Sequence, residues 1–460
     1  MFSIRPNQRF WLLTIFLLIW TLLLSACQTT APAATDQSSN SETTGEEQAA
    51  ETSSEADGGE EQVELRLWMH QNPAFIQANE EIIRRFEESH PNVTVKLESF
   101  EYDLFIQTLQ TSMPAGTEAD IIEMFGSWVC SYANGGRLAE VSDTIISLPE
   151  AEEAFFRAPI EGYTCDGKLY GLPNEFNIEN GGVLVNKKLF DEAGIAYPPT
   201  WATMPDLLND AQNLAQWDGD TMTVSGFHFI SGDGLAFQLL AGILQRGGEY
   251  WKSDGSGVQF TTPEAKETLE DMKSWITDYK VTDPFLFNGE SNGVGTSFFN
   301  DLVSIGFVGP WVVPEGQANF PDVEFDYVSV PNYAGDEHLF AADAGWGKVV
   351  SINSPHKELA MEFVKFATAE AENAKFWNVT TGTVPALISV AEDPTLLEEL
   401  PYIEASLQVL PYGRYVGTLP DRDLFWYDIV QPHVLAVLQD TETVDDALQA
   451  IEDETNASFQ

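Results

Sequence analysis

The chain has 460 residues and a formal net charge of −50, with 22 Lys and Arg against 72 Asp and Glu. That balance argues against a nucleic-acid or anionic-lipid surface, since both are gripped through basic patches. Three cysteines without a Cys-x-x-Cys, and six scattered histidines (His70, His90, His228, His338, His356 and His433), leave no sequence-local zinc site, and no cofactor is expected. The acidity reads first as a solubility adaptation to salty or acidic surroundings, with a cationic ligand as the functional alternative.

The first 27 residues form a leader. Arg5 and Arg9 are its charged part, and Trp11 to Leu24 is apolar except for Thr14 and Thr21. Leu24-Ser25-Ala26-Cys27 then resembles the lipobox of a bacterial lipoprotein, in which the cysteine becomes the lipidated first residue. The apolar run of roughly 14 residues is short for a membrane span. The rest of the chain is therefore expected outside the cytoplasm, tied to a membrane through lipid on Cys27. In that setting Cys130 and Cys165 are expected to pair as a disulfide rather than stay as free thiols.

Residues 28–61 hold Ser, Thr, Ala, Gln and acids, with no aromatic and no Lys or Arg. They bury too little apolar surface to offset ordering entropy and read as a disordered acidic tether. From Gln62 the composition turns globular. About 400 residues exceed what one core usually organises, so two lobes are expected.

Val63 to Met69 alternates as a strand does. Phe75, Asn79, Ile82, Ile83 and Phe86 then fall on one helical face, Pro91-Asn92 ends that helix, and Val93 to Leu97 is the next strand. Strand, helix, strand implies a parallel sheet with helices packed on it, an α/β fold. Tyr102 to Met113 reads as helix, and Ala119 to Phe125 and Gly181 to Asn186 as strands. Thr203-Met204-Pro205-Asp206 is a helix start, with Thr203 as cap, Pro205 in the first turn and Asp206 at the positive end. Ser354-Pro355 ahead of Glu358 to Ala367 is read as a second start of the same kind.

Several segments in order resemble one family, the solute-binding proteins of ATP-binding-cassette importers, in the carbohydrate-binding group that includes maltose-binding protein. They are Ala115 to Ile122, Asp166-Gly167-Lys168-Leu169-Tyr170-Gly171-Leu172-Pro173, Leu184 to Phe190, Pro198-Pro199-Thr200-Trp201, Gly309-Pro310-Trp311, Ser354 to Ala360 and Phe425-Trp426-Tyr427. The resemblance covers nearly all of residues 62–460. It implies a two-lobe periplasmic-binding-protein-like fold with three interlobe crossings and a cleft between the lobes. Lobe one would combine 62–175 with 343–380, and lobe two 176–342 with 385–460. The crossings would lie near Asn174 to Glu179, Phe340 to Ala344 and Thr380 to Pro385. It further implies a non-enzymatic monomer that closes on a sugar or oligosaccharide by a hinge motion and is read by permease subunits in the membrane.

Sugars present flat apolar C–H faces and a rim of hydroxyls, so their sites need aromatic platforms with acids and amides around them. Trp311 and Trp426 match cleft tryptophans of the family, Trp128 lies where the family places ligand contacts, and Trp346 sits just past the second crossing. Trp68, Trp201 and Trp275 read as core. The polar candidates are His70 at the end of the first strand, Asp103 near the second, Glu175 and Asn177 on the first crossing, and Asp233 in a loop of lobe two. Arg414 stands out because arginine is scarce, with a structural ion pair as its other reading. His228, between two phenylalanines, reads as a satisfied strand residue. Maltose-binding protein has a tryptophan within the strand aligned to Ile121–Phe125, and Met124 in its place argues against maltodextrin. Two other classes stay open: the same fold binding a polyamine or ferric iron, with Tyr412 and Tyr415 the iron candidates, and an extracellular glycoside hydrolase working through two carboxylates.

Overall fold

The computed structural model describes residues 62–230, 234–286 and 293–459; the leader, Cys27, the tether and Asp233 lie outside the described residues. The chain opens as the alternation predicts. β1 (Val63–His70) leads to Asn72, whose side-chain oxygen accepts from the Ala74 and Phe75 N–H groups and so caps α1 (Pro73–Ser89). Pro73 occupies the first turn, where its missing N–H costs nothing. The apolar face of α1 buries Phe75, Ile82, Ile83 and Phe86. β2 (Val93–Phe100), α2 (Tyr102–Ala115), β3 (Ile121–Phe125) and α3 (Gly126–Asn134) follow. A disulfide joins Cys130 of α3 to Cys165, with Cα atoms 5.4 Å apart. β4 (Gly171–Pro173) completes this part of the chain.

A second set of strands comprises β5 (Val183–Asn186), β6 (Gln216–Asp218), β7 (Thr221–His228), β8 (Val303–Phe307) and β9 (Phe325–Val328). Among them run α4 (Met204–Leu214), α5 (Gly234–Gln245), α6 (Pro263–Thr277) and α7 (Val312–Asn319). Thr203 and Asp206 cap α4 reciprocally, as the sequence predicts. The chain then returns through β10 (Phe340–Ala342) and β11 (Trp346–Val350) to α8 (Lys357–Thr368) and α9 (Ala371–Thr381). Ser354 does not cap α8. Its hydroxyl donates to Asp120, and His356 stands at the cap position without a side-chain bond. β12 (Gly413–Tyr415), a π-helical turn over Leu424–Val430, α10 (Gln431–Leu438) and α11 (Val444–Ser458) close the chain.

The fold is α/β with two lobes, each built on a five-stranded sheet. The first has the order β2-β1-β3-β11-β4, parallel on the β1 side and antiparallel at β11. The second has the order β9-β5-β8-β7-β6. One apolar cluster packs Leu65, Leu67, Ile82, Phe86, Ile121 and Val349 on the first sheet. Another packs Val185, Leu207, Phe227, Leu239, Leu269 and Ile305 on the second. Trp68 and Trp275 are buried in these cores. Among the described residues no helix is long and apolar enough to cross a membrane.

Three segments carry the chain between the sheets and run side by side. The Asn174 and Glu175 N–H groups donate to the Trp346 carbonyl at 2.9 and 3.3 Å, and Phe176 N–H donates to the Val384 carbonyl at 2.8 Å. Packing places Val384, Leu387, Val390, Leu396, Ile403 and Leu410 in the cluster of the first sheet, and the second cluster takes up the chain at Val416. Most of the buried apolar residues of 384–410 therefore pack with lobe one, against the expectation that 385–460 belongs to lobe two, while Ala405 joins Leu184 and Tyr327 on the second sheet. These residues form short helical turns rather than a strand of either sheet, so no alternation pattern marks their lobe.

Candidate ligand-binding site

A cavity of about 840 Å³ lies between residues carried by the two sheets. On the first sheet it opens where β1 and β3 end and β11 begins, at the carboxyl edge where open α/β sheets bind ligands. His70 is the last residue of β1, Phe125 the last of β3, and Trp346, opposite Phe125 in the ladder, the first of β11. Trp128 in the first turn of α3 and Tyr102 at the start of α2 reach the same edge.

These rings form one aromatic wall around Trp346. His70 stacks on it with centroids 4.3 Å apart and planes 25° apart, while Phe125 and Trp128 meet it edge-on at 5.1 and 5.5 Å. Backbone conformation sets the ring's position. Ala344 and Gly345 both have positive φ, 73° and 104°, and a Cβ on Gly345 would lie 2.7 Å from the Glu175 carbonyl oxygen. Glycine at 345 is thus required twice over, by its φ and by the close approach of the first crossing.

The opposite wall is the start of α7. Trp311, Pro314, Glu315 and Ala318 follow helical spacing and present one face to the cavity. The Trp311 ring lies so close against Gly309 that any Cβ there would collide with it. The floor comes from residues 175–179 of the first crossing with Thr380, Thr381 and Thr383 at the end of α9, and Arg422 and Tyr427 close the rim. The Arg422 guanidinium lies 5.5 Å from the Phe125 ring centre and 5.9 Å from that of Tyr427. It is held by Asp343, fully buried beside the strained turn, through Nε at 2.8 Å and through Nη2.

Beneath the aromatic wall four ionisable groups sit out of water. His70 Nδ1 is 2.8 Å from Oε2 of Glu123, which is fully buried on β3. Lys348, fully buried on β11, donates from Nζ to Asn174 Oδ1 at 2.8 Å. Glu175 Oε1 accepts from the Trp346 N–H at 3.3 Å. Burial pushes the Glu175 carboxyl up to about 7, supported by the nearby Glu123 charge and opposed by the Trp346 N–H and His70. Burial also draws Lys348 down to about 8 against the pull of both carboxylates. On His70 burial disfavours charge, but the Glu123 carboxylate outweighs it and holds the imidazole above its ordinary value.

Residues 72–374 match the family of bacterial extracellular solute-binding proteins. The chain belongs to that family. It is 24% identical over 360 residues to the arabinooligosaccharide-binding protein of Halalkalibacterium halodurans, covering 76% of this chain and 77% of that one. Among solved structures, the cyclic alpha-maltosyl-1,6-maltose binding protein of Arthrobacter globiformis superposes with a TM-score of 0.72 at 23% identity, over 86% of this chain and 98% of that one. The Listeria monocytogenes substrate-binding protein in complex with cycloalternan gives 0.69 at 23% identity, over 87% and 99%.

In this solute-binding protein six of the residues singled out from sequence meet in the cavity: His70, Trp128, Glu175, Asn177, Trp311 and Trp346. Asp103 does not. It is exposed on the first turn of α2, beside Tyr102, which does line the cavity. Trp426 is a correction. It is 1% exposed, packs on Phe237 and Phe425, and turns its indole N–H to Asp343 at 3.3 Å, behind the rim rather than in it. Its neighbour Tyr427 faces the cavity instead. Arg414 makes an exposed ion pair with Glu249, the second of its two readings, and Arg422 is the arginine at the cavity. His228 is buried on β7 at 3.2 Å from the Thr282 hydroxyl, and burial draws it down to about 4. Phe125, rather than buried Met124, brings β3 to the cavity.

Proposed function

We propose that this solute-binding protein captures a sugar or oligosaccharide outside the cytoplasm and delivers it to an ATP-binding-cassette importer, held to the membrane by lipid on Cys27. The observation that carries the reading is the pair of opposed aromatic walls, Trp346 with Trp128 and Tyr102 on one side and Trp311 on the other, ringed by Asn72, Glu175, Asn177, Glu315 and Arg422. Flat rings take the C–H faces of pyranose or furanose rings, and the amides and acids take their hydroxyls. Relatives named for arabino-oligosaccharide and maltotriose binding support the class. The two walls stand on different lobes, so a ligand touching both favours the closed arrangement, with residues 174–179, 343–345 and 380–385 as the hinge. No catalytic step is part of this reading.

The alternatives draw less support. Tyr412 and Tyr415, the iron candidates, do not line the cavity. Among the described residues no group of three or more His, Cys, Asp or Glu side chains is placed to hold a metal ion.

The test is intrinsic tryptophan fluorescence and titration calorimetry on the full chain in detergent, against maltotriose, arabino-oligosaccharides, chito-oligosaccharides, spermidine and ferric citrate. A saccharide is expected to shift the emission, and Trp346→Ala to weaken its binding by about 30-fold or more. A response confined to spermidine or ferric citrate would overturn the carbohydrate class. Labelling with a radioactive fatty acid, lost in Cys27→Ser, checks the anchor.

A further inference from the structure

The cavity floor holds a carboxyl with half of its bonding capacity unused. Glu175 is 6% exposed, and its Oε1 takes the Trp346 N–H, but its Oε2 is buried without a hydrogen bond. The Thr383 hydroxyl is near enough to favour charge on it slightly, yet it is itself engaged with Asn378 and Thr381. A buried acceptor left unpaired costs free energy until a donor reaches it. Glu175 faces the cavity on the crossing, where its backbone touches Gly345.

We propose that Glu175 is the group through which the cavity couples ligand capture to a proton: a ligand hydroxyl set on its Oε2 ionises the carboxyl, so binding releases a proton and tightens as pH rises toward 7. The inference rests on the saccharide reading of the cavity. The free carboxyl, burdened by burial, titrates near 7. A hydroxyl donating to Oε2 stabilises the charged form more than the neutral one, which lowers the carboxyl's value in the complex. Affinity then rises with pH between the bound and free values and levels off above the free one. One proton limits the slope to tenfold per pH unit.

The groups facing Glu175 from the packed elements are His70 on β1, Glu123 on β3, Lys348 on β11 and the Tyr163 phenol. His70 is the other group among them that its neighbours hold above its ordinary value. Lys348 begins to lose charge near 8, which sets the upper end of the usable window. The Glu175–Trp346 bond gives the proton a structural consequence, because it ties the floor to the ring at the centre of the aromatic wall.

The experiment is calorimetric titration of the full chain with maltotriose and with an arabino-oligosaccharide, from pH 5.5 to 7.5, in buffers of different ionisation enthalpy. Infrared difference spectra of the ligand-free protein against Glu175→Gln follow the Glu175 carboxyl band in parallel. Binding is expected to weaken several-fold for each unit below 7, to release a fraction of a proton, and to lose both effects in Glu175→Gln. A flat Kd with no proton release overturns the inference and leaves the sugar reading standing. Proton release that survives in Glu175→Gln assigns the proton to another group and also overturns it. If neither saccharide binds at any pH the sugar reading fails. The infrared titration then still decides, since a Glu175 carboxyl ionised below pH 5 refutes the proposal.

Discussion

Asp343 is fully buried, and Arg422 keeps only 9% of its side chain exposed, so their ion pair is an interaction that removal of one partner should expose. Asp343→Ala takes from the Arg422 guanidinium the carboxylate it bonds twice and frees the Trp426 N–H. A stranded buried charge costs about 3–5 kcal/mol. The indole bond, at 3.3 Å, adds about 1 kcal/mol. Asp423, 3.0 Å from Nη1 but half exposed, returns little of this. Arg422→Met alone takes the paired cation from the buried Asp343 carboxylate, which keeps the Trp426 N–H, and should cost a similar amount. The double variant carries no uncompensated charge and should lie within about 1–2 kcal/mol of the parent, less than either single. Equilibrium urea unfolding at pH 7, read by fluorescence and assembled as a double-mutant cycle, gives the coupling directly. Strict additivity, or a loss below about 1 kcal/mol in Asp343→Ala, would show that the pair is solvated and that the account of the rim is wrong.

Trp346→Ala should weaken saccharide binding by about 30-fold or more with a modest stability loss, whereas Trp426→Ala should cost about 3–5 kcal/mol in urea unfolding because that ring is wholly in the core. Gly309→Ala drives a methyl into the Trp311 ring. Binding should fall tenfold or more with a loss of about 1–3 kcal/mol, and adding Trp311→Ala should restore the stability but not the binding. The free protein's stability should also depend on pH at the floor. Glu175 is raised from its ordinary value to about 7, so the folded state holds the extra proton and stability falls as pH rises through this window. Lys348 is lowered to about 8, so the unfolded state holds the extra proton above that pH and stability rises there. Glu175→Gln should therefore stabilise the ligand-free protein at pH 7.5, on the order of 1–3 kcal/mol, while weakening binding. A uniform destabilisation at all pH values would show that the carboxyl is not held in a costly place.

The elements were legible where periodicity was strong. The strands at Val63 and Val93, the face of α1 and the cap of α4 all follow from spacing and capping chemistry that act within one turn or one strand. The site was legible at His70, which ends the first strand, while Glu175 and Trp346 were found through the crossings that the family resemblance implies. It failed at the C-terminal rim. A π-helical turn over Leu424–Val430 widens the helix by a residue, so the side chain facing the cavity is Tyr427 and its neighbour Trp426 turns to the core. Nothing in Phe425-Trp426-Tyr427 encodes that step. Arg422 escaped for a related reason: its importance lies in a bond to Asp343, 79 residues away, which no local pattern shows.

Several features that weaken the fold lie where the two lobes meet. Glu175 Oε2, Glu123 Oε1, Asn174 Nδ2 and Asn378 Oδ1 are buried without hydrogen bonds, and they lie on adjoining segments beneath the cavity. Ala344, with φ of 73° despite its Cβ, stands on the second crossing beside them. Buried polar atoms of this kind are costly in a static core, and strained residues persist only where the surroundings hold them. At a hinge they have another consequence. An arrangement that is only partly satisfied while empty lies close in free energy to its alternatives, so a modest number of ligand hydrogen bonds suffices to shift the population. Glu175 is the residue at which these conditions coincide. It is bonded to Trp346, packed against Gly345, and open to whatever the two aromatic walls enclose.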